Sequence, residues 1–260
     1  MGWIDAHCHL ADPRFADGLD AALSRAETKN ISLWIQGGVS PLDWERQDAL
    51  KARYPGKILT SYGLHPWWVS EVDELTAEQA ILKLRESLNR ADAFGELGLD
   101  FGKRFADPKI QSRQELYFER QLEFASHSKL PLILHVVQAH SKAVEILKRF
   151  PHPDGGLIHS FSGSVEEAKN YLDLGFTLSI SGVVCRKGYE KLKKALQTLP
   201  RDKIVIETDA PDQNPEGALA GLNEPENLLK IADAVAQIQN KTRNEVLDQS
   251  TENLKRVFKL

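Results

Sequence analysis

Eight short aliphatic runs, each followed by an interval long enough for a helix, constrain this chain most: 2–7, 31–36, 58–63, 92–96, 130–135, 155–159, 176–179 and 203–207. Their length and aliphatic content suit strands buried on both faces, as in parallel rather than half-exposed antiparallel pairing. The intervals carry helix-start signals. Ser40-Pro41 puts a capping hydroxyl before a proline at the first helical position, and Thr76 with Gln79 and Ser164 with Glu167 have capping-box spacing. Leu228, Ile231, Ala232, Val235 and Ile238 recur at helical spacing, and 242–259 reads as one or two further short helices packed on the outside. This strand–helix alternation predicts an α/β fold with a parallel sheet. A length of 260 residues matches a (β/α)8 TIM barrel, and with no Gly/Ser-rich linker one domain over 1–260 is the simplest reading. An open doubly wound sheet is the alternative, although no Gly-x-Gly-x-x-Gly loop follows the first run.

Composition narrows the function. With 42% apolar residues a sizeable core is available. The net charge of −4 does not suit a protein that grips a long duplex. A nucleic-acid partner would be engaged locally, with metal ions supplying positive charge, and a small phosphoester fits equally well. Two cysteines, Cys8 and Cys185, make no disulfide framework and point to a reducing cytosol. No signal-peptide core and no apolar stretch of about 18 residues is present, so the expectation is a cytoplasmic protein without a membrane partner. Nothing points to an obligate protein partner.

The chemistry-bearing residues sit at or just past the ends of the apolar runs. His7 and His9 stand two apart, so in a strand both face one way and Cys8 the other. Glu96, His135, His159 and Asp209 follow at later strand ends. Singly, each is more often a buried hydrogen-bonded imidazole, a cap or a turn residue than a ligand. Together they fall where barrel enzymes keep their chemistry, and six imidazoles and carboxylates are what a two-metal hydrolytic site needs. Asp209 could ligate an ion beside His7 and His9 and accept a proton from its water, while Glu96 could bridge two ions. Arg104, Arg186 and Lys187 could reach phosphate oxygens, with a solvated role expected for at least one of them. Trp67 and Trp68 are read as a cover for a core edge rather than as a base-stacking pair.

These stretches resemble the TatD family of metal-dependent hydrolases, within the amidohydrolase-like barrels. The matching segments are Ile-Asp-Ala-His-Cys-His, Tyr-Gly-Leu-His-Pro, Gly-Glu-Leu-Gly-Leu-Asp-Phe, Gln-Leu-Glu-Phe-Ala-Ser, Leu-Pro-Leu-Ile-Leu-His, His-Ser-Phe-Ser-Gly-Ser and Glu-Thr-Asp-Ala-Pro, between residues 4 and 211, with a weaker echo at Asn223-Glu224-Pro225. The resemblance implies a (β/α)8 barrel with one to three divalent ions, of which two (Zn, Mn or Mg) are expected here, and phosphodiester hydrolysis, commonly of DNA and often from the 3′ end. It implies that His7, His9, Glu96 and Asp209 hold one ion, that Glu96, His135 and His159 hold the second, that Asp209 is the base, and that His65 lies near the substrate phosphate. A lactone, amide or small phosphoester is the rival substrate, and a non-catalytic metal- or nucleotide-binding barrel is the remoter one.

The chain also departs from the family pattern. Val136-Val137-Gln138-Ala139-His140 follows the fifth-strand histidine where many relatives carry a basic pair. Here His140 is expected to replace the missing arginine in part. Asp212 follows Pro211 where an aromatic is common, and Gly221-Leu222 precede Asn223 in place of a basic residue. A carboxylate at Asp212 would repel a polyanion unless it faces away. Asp100 is read as a structural loop carboxylate.

Overall fold

The computed structural model describes residues 2–152, 154–219 and 221–260. Nine parallel strand segments alternate with helices: β1 (Trp3–Cys8), β2 (Ile31–Gln36), β3 (Ile58–Leu59), β4 (Ser61–Tyr62), β5 (Ala93–Asp100), β6 (Leu132–Val137), β7 (Gly156–Ile158), β8 (Phe176–Ile180) and β9 (Ile204–Ile206). Ladders join β1-β2-β3 and β4 through β9 in chain order. The expected third strand, 58–63, is one bent strand broken at Thr60. The Thr60 carbonyl accepts from the N–H of Asp92 and of Ala93, both at 3.0 Å, and the Asp92 carboxylate accepts from Thr60 N at 2.8 Å. Nine segments therefore fill eight strand positions. The ring closes past the regular ladders, where Asp209 N donates to His7 O (2.9 Å) and His9 N to Ala210 O (2.7 Å). The Asp5 carboxylate accepts from Thr208 N (2.8 Å) and Thr208 Oγ1 (2.5 Å) across the same seam. The result is a (β/α)8 barrel.

The helices are α1 (Leu19–Thr28), α2 (Pro41–Arg53), α3 (Pro66–Glu71), α4 (Glu74–Ser87), α5 (Pro108–Ala125), α6 (His140–Arg149), α7 (Val165–Asp173), α8 (Glu190–Thr198), α9 (Leu228–Gln239) and α10 (Arg243–Phe258). Ser40 caps α2 and the Ser164–Glu167 box caps α7 as expected. The Thr76–Gln79 box does not form. Asp73, a carboxylate three residues upstream, accepts from Thr76 N at 2.9 Å and starts α4 earlier. Among the described residues, no helix is long and apolar enough to cross a membrane.

Two apolar cores result. The larger lies between the strands and the surrounding helices. The smaller lies inside the barrel, where Ile4, Ala6, Leu33, Ile35, Ala93, Ile133, Leu157 and Val205 meet Leu254 and Phe258 of α10. The segment 242–259 is thus mostly one helix that plugs the barrel floor, where outside packing was expected. It also covers the β9 edge, with Ile206 N donating to Ser250 Oγ at 3.0 Å.

Candidate metal centre

Side-chain alternation carries the floor pattern up to the mouth. In β6 the inward series runs Ile133 then His135, in β7 Leu157 then His159, and in β9 Val205, Glu207 and Asp209. Two strands break the rhythm. In β1, Asp5 pairs with Trp34 but Cys8 with Gln36, so three steps oppose two. With Ile4 and Ala6 facing in, plain alternation would turn His7 outward; the extra residue resets the phase, and His7 and His9 face in together. In β5, Gly95 pairs with Ile133 and Leu97 with Leu134, which leaves Glu96 as the inserted residue. Such bulges re-aim side chains beside active sites. Glu96 therefore lies within β5, which runs on to Asp100, and not at the strand end the sequence suggests.

The six candidate donors converge. His7 Nε2 and His9 Nε2 are 3.3 Å apart. Glu96 Oε1 lies 3.5 Å from the first and 3.4 Å from the second, and Asp209 Oδ1 lies 3.7 and 3.4 Å from them. Donors bound at 2.0–2.1 Å to a tetrahedral ion stand about 3.3–3.4 Å from one another. These separations are those of a coordination shell, and a divalent ion fits between His7, His9 and Glu96, with Asp209 beside both imidazoles. Buried His7 Nδ1 and Glu96 Oε1 have no hydrogen-bond partner among the described residues. Gly37 continues the inward series of β2. A Cβ there would come within 2.4 Å of His7 Cε1, 2.6 Å of Glu96 Oε1 and 2.6 Å of His9 Cε1, so only a glycine leaves room for the cluster.

The other Glu96 oxygen serves a second group. Oε2 lies 3.6 Å from His135 Nδ1 and 3.6 Å from His159 Nε2. His65 Nε2 stands 4.0 Å from it. The His65 ring caps α3, its Nδ1 accepting from Trp67 N at 3.1 Å. Burial and then His135 push its pKa well below 6.5, so the ring is neutral and carries its proton on Nε2. That makes Nε2 a donor aimed into the site.

Charge within the cluster is balanced by mutual attraction. Burial opposes ionisation of Glu96 and Asp209, but His7 and His159 hold Glu96 well below the usual carboxylate range, and His159 and His9 bring Asp209 to about 2. Burial likewise opposes the imidazolium at His9 and His159. Asp209 and Glu96 overcome it at His9, which rises to about 9, and Glu207 and Asp209 overcome it at His159, which rises to about 10. Two buried carboxylates in a ring of imidazoles thus favour positive charge at their centre.

An outer layer, which sequence reasoning passed over, orients these groups. Glu207 Oε1 sits 2.8 Å from His159 Nδ1 and accepts from Ser160 N at 2.8 Å, while Oε2 accepts from Ser179 Oγ. Asp100 Oδ2 stands 3.5 Å from His135 Nε2 and accepts from Trp67 Nε1 at 2.6 Å, so Asp100 belongs to the site rather than to a structural loop. Gln213 Nε2 donates to Asp209 Oδ2 at 2.6 Å, and Gln213 Oε1 accepts from Ser181 Oγ at 2.6 Å. The legible signal for Glu207 was its place two residues before Asp209, on the same face. Gly37 and Gln213 gave none.

The remaining candidates divide. Arg186 is half-buried beside His135 and His159 in a cleft of about 540 Å³, with Nη2 donating to Asn214 O at 3.2 Å. His140 lines the same cleft, but burial lowers its pKa and Tyr171 Oη lies 2.9 Å from its Nδ1, so it cannot replace an arginine's charge. Asp212 pairs with Arg14 through contacts of 2.9 and 2.7 Å, which neutralises the repulsion it threatened. Arg104 pairs with Glu71 and stacks over Trp67 at 5.4 Å. Trp67 keeps an exposed edge above the site.

The profile of the family described as TatD related DNase matches residues 4–259. The chain belongs to that family. It is 31% identical over 265 residues to a 3′-5′ ssDNA/RNA exonuclease TatD of Erwinia tasmaniensis, covering 99% of this chain and all of that one. It is 30% identical to the human deoxyribonuclease TATDN3, with 99% and 95% covered. YjjV of Escherichia coli, described as an uncharacterized metal-dependent hydrolase, is 28% identical over 98% of this chain and 97% of its own. The crystal structure of YjjV superposes with a TM-score of 0.89 over 99% of this chain and 98% of that one. The barrel seen here is thus the fold of a solved member of this family.

Proposed function

We propose that this TatD-family barrel, as one domain over 1–260, is a hydrolase of phosphodiester bonds that acts on single-stranded DNA ends with two divalent ions. The observation that carries the reading is Glu96, whose two oxygens face two separate donor groups, His7, His9 and Asp209 on one side and His135 and His159 on the other. The imidazole-rich set suits zinc or manganese, and its two carboxylates still admit magnesium. Bound ions supply Lewis acidity, lowering the pKa of water and neutralising charge on the phosphoryl oxygens. Asp209, steered by Gln213, accepts the proton of the attacking water. His65 donates from Nε2 to a phosphate oxygen, and Arg186 reaches a second one from the cleft wall. Asp100 and Glu207 hold the rings of His135 and His159. Names of relatives as nucleases support the substrate, and the site works in the cytosol, where Cys8 and Cys185 would stay reduced.

The test is metal analysis of purified protein together with turnover of 3′- and 5′-labelled single strands, a phosphodiester dinucleotide and a lactone panel. Two metals per chain and chelator-sensitive release of nucleotides are expected. Lactone turnover with intact strands would overturn the substrate, and full activity in excess chelator would overturn the mechanism.

A further inference from the structure

The cleft beside the ligands continues beyond them. It opens between the segments after β7 and β8 past Arg186 and Lys191, and a second cavity of about 610 Å³ runs on between α7 and α8. Lys191 lines both, and Gly163 of the first is followed directly by Ser164, Val165 and Glu166 of the second. The second cavity has an apolar floor of Val165, Leu172, Leu199 and Pro200, walled by Lys169, Lys191 and Lys194.

Many cations elsewhere on the surface are engaged by carboxylates. Arg14, Arg25, Lys29, Arg53, Arg113 and Arg120 are all held in ion pairs. Among the described residues Lys169, Arg186, Lys191 and Lys194 make none within 4.0 Å, whereas Lys193 on the other side of α8 pairs with Glu190. The nearby carboxylates Glu166 and Glu167 offset this charge only in part. Glu167 is tied to Ser164 N at 2.7 Å in the cap of α7. Glu166 ionises more readily than an ordinary glutamate through its own backbone N–H and the Ser164 hydroxyl, then through Lys169 and Lys194. In a chain of net charge −4, these four cations line one continuous path that begins at the metal cleft.

We propose that the α7–α8 groove is the track of a single-stranded polynucleotide whose end lies at the metal centre. Arg186 stays with the scissile phosphate, and Lys191, Lys194 and Lys169 take the successive phosphates beyond it, which a dinucleotide does not have. Lys191 and Lys194 share a face of α8 about 4.5 Å apart along its axis. The floor has no aromatic ring for base stacking, so binding is through the backbone and indifferent to sequence. The inference rests on the polynucleotide reading of the site and deepens it.

The experiment compares the full protein with Lys169→Gln/Lys191→Gln/Lys194→Gln, and with Lys129→Gln/Lys148→Gln/Lys203→Gln as a control. The control lysines precede strands β6 and β9 or end α6, at the opposite end of the barrel. Fluorescein-labelled dT10 is titrated by anisotropy in EDTA from 50 to 200 mM salt, and cleavage of dT10 and of a dinucleotide is followed with manganese. The groove variant is expected to bind dT10 about tenfold more weakly, with a log–log salt slope smaller by about 2, near 0.7 per lost phosphate contact. It should cleave the dinucleotide normally, and the control should match the wild type. Unchanged dT10 affinity, equal loss in the control, or equal loss of dinucleotide and dT10 cleavage would overturn the track. A wild type that cleaves the dinucleotide without binding dT10 sinks the track alone. Lysine-dependent dT10 binding without cleavage of any phosphodiester sinks the proposed reaction and keeps the track.

Discussion

The floor and the mouth of the barrel are built by the same strands, two residues apart, and obey different physics. On the floor, Ile133, Leu157 and Val205 fill space with Leu254 and Phe258. At the mouth, His135, His159 and Glu207 take the next inward positions, and Glu96 enters through a bulge. The floor asks only for apolar volume, since each methylene removed from water contributes about 0.8 kcal/mol. The mouth buries carboxylates and imidazoles such as Glu96 and His7, whose loss of water is offset by neighbours of opposite charge and not by packing. The comparison teaches that the floor and helix shell supply the packing that holds the polar mouth in place.

The sharpest way to break this division is Glu96→Gln. It should lower turnover by about 10³-fold or more, some 4 kcal/mol of transition-state stabilisation, and abolish metal-induced thermal stabilisation while circular dichroism stays native. A variant that kept both metals would show that the two halves of the cluster do not depend on the shared carboxylate. Leu254→Ala tests the other half. Loss of a fully buried floor residue should cost about 2–5 kcal/mol in denaturant unfolding, with metal content per folded molecule unchanged. Metal loss at ambient temperature would mean that floor and mouth are not separable. Gly37→Ala places a methyl among the ligands. A loss of about 1–3 kcal/mol in stability is expected, together with metal binding weakened by more than tenfold in calorimetric titration. The smallest effect is expected for Asp100→Asn, which leaves every donor in place but loosens His135. Metal affinity should fall about 10–100-fold with no change in melting of the metal-free protein. An unaltered affinity would demote Asp100 to a partner of Trp67 alone.

Much of the fold was legible because buried parallel strands and capped helices leave local traces. The eight runs, the Ser40 cap and the Ser164–Glu167 box needed no distant contact to be recognised. The break at Thr60 escaped because it depends on Asp92, 32 residues away. The donors were legible as residue types at strand ends, yet their aim was not. His7 faces inward only because β1 carries an extra residue opposite β2, and a register shift is a property of two strands together.

The sequence by itself determined the βα alternation, the inventory of six donors and the membership of a metal-hydrolase family, since periodicity, caps and motifs are properties of neighbouring residues. Tertiary structure alone decided that Gly37 makes room for the cluster, that Arg14 disarms Asp212, that His140 is neutral, and that unpaired lysines of α7 and α8 line one groove. Burial, charge pairing and free space belong to residues brought together from far apart, and they exist only once the barrel has closed.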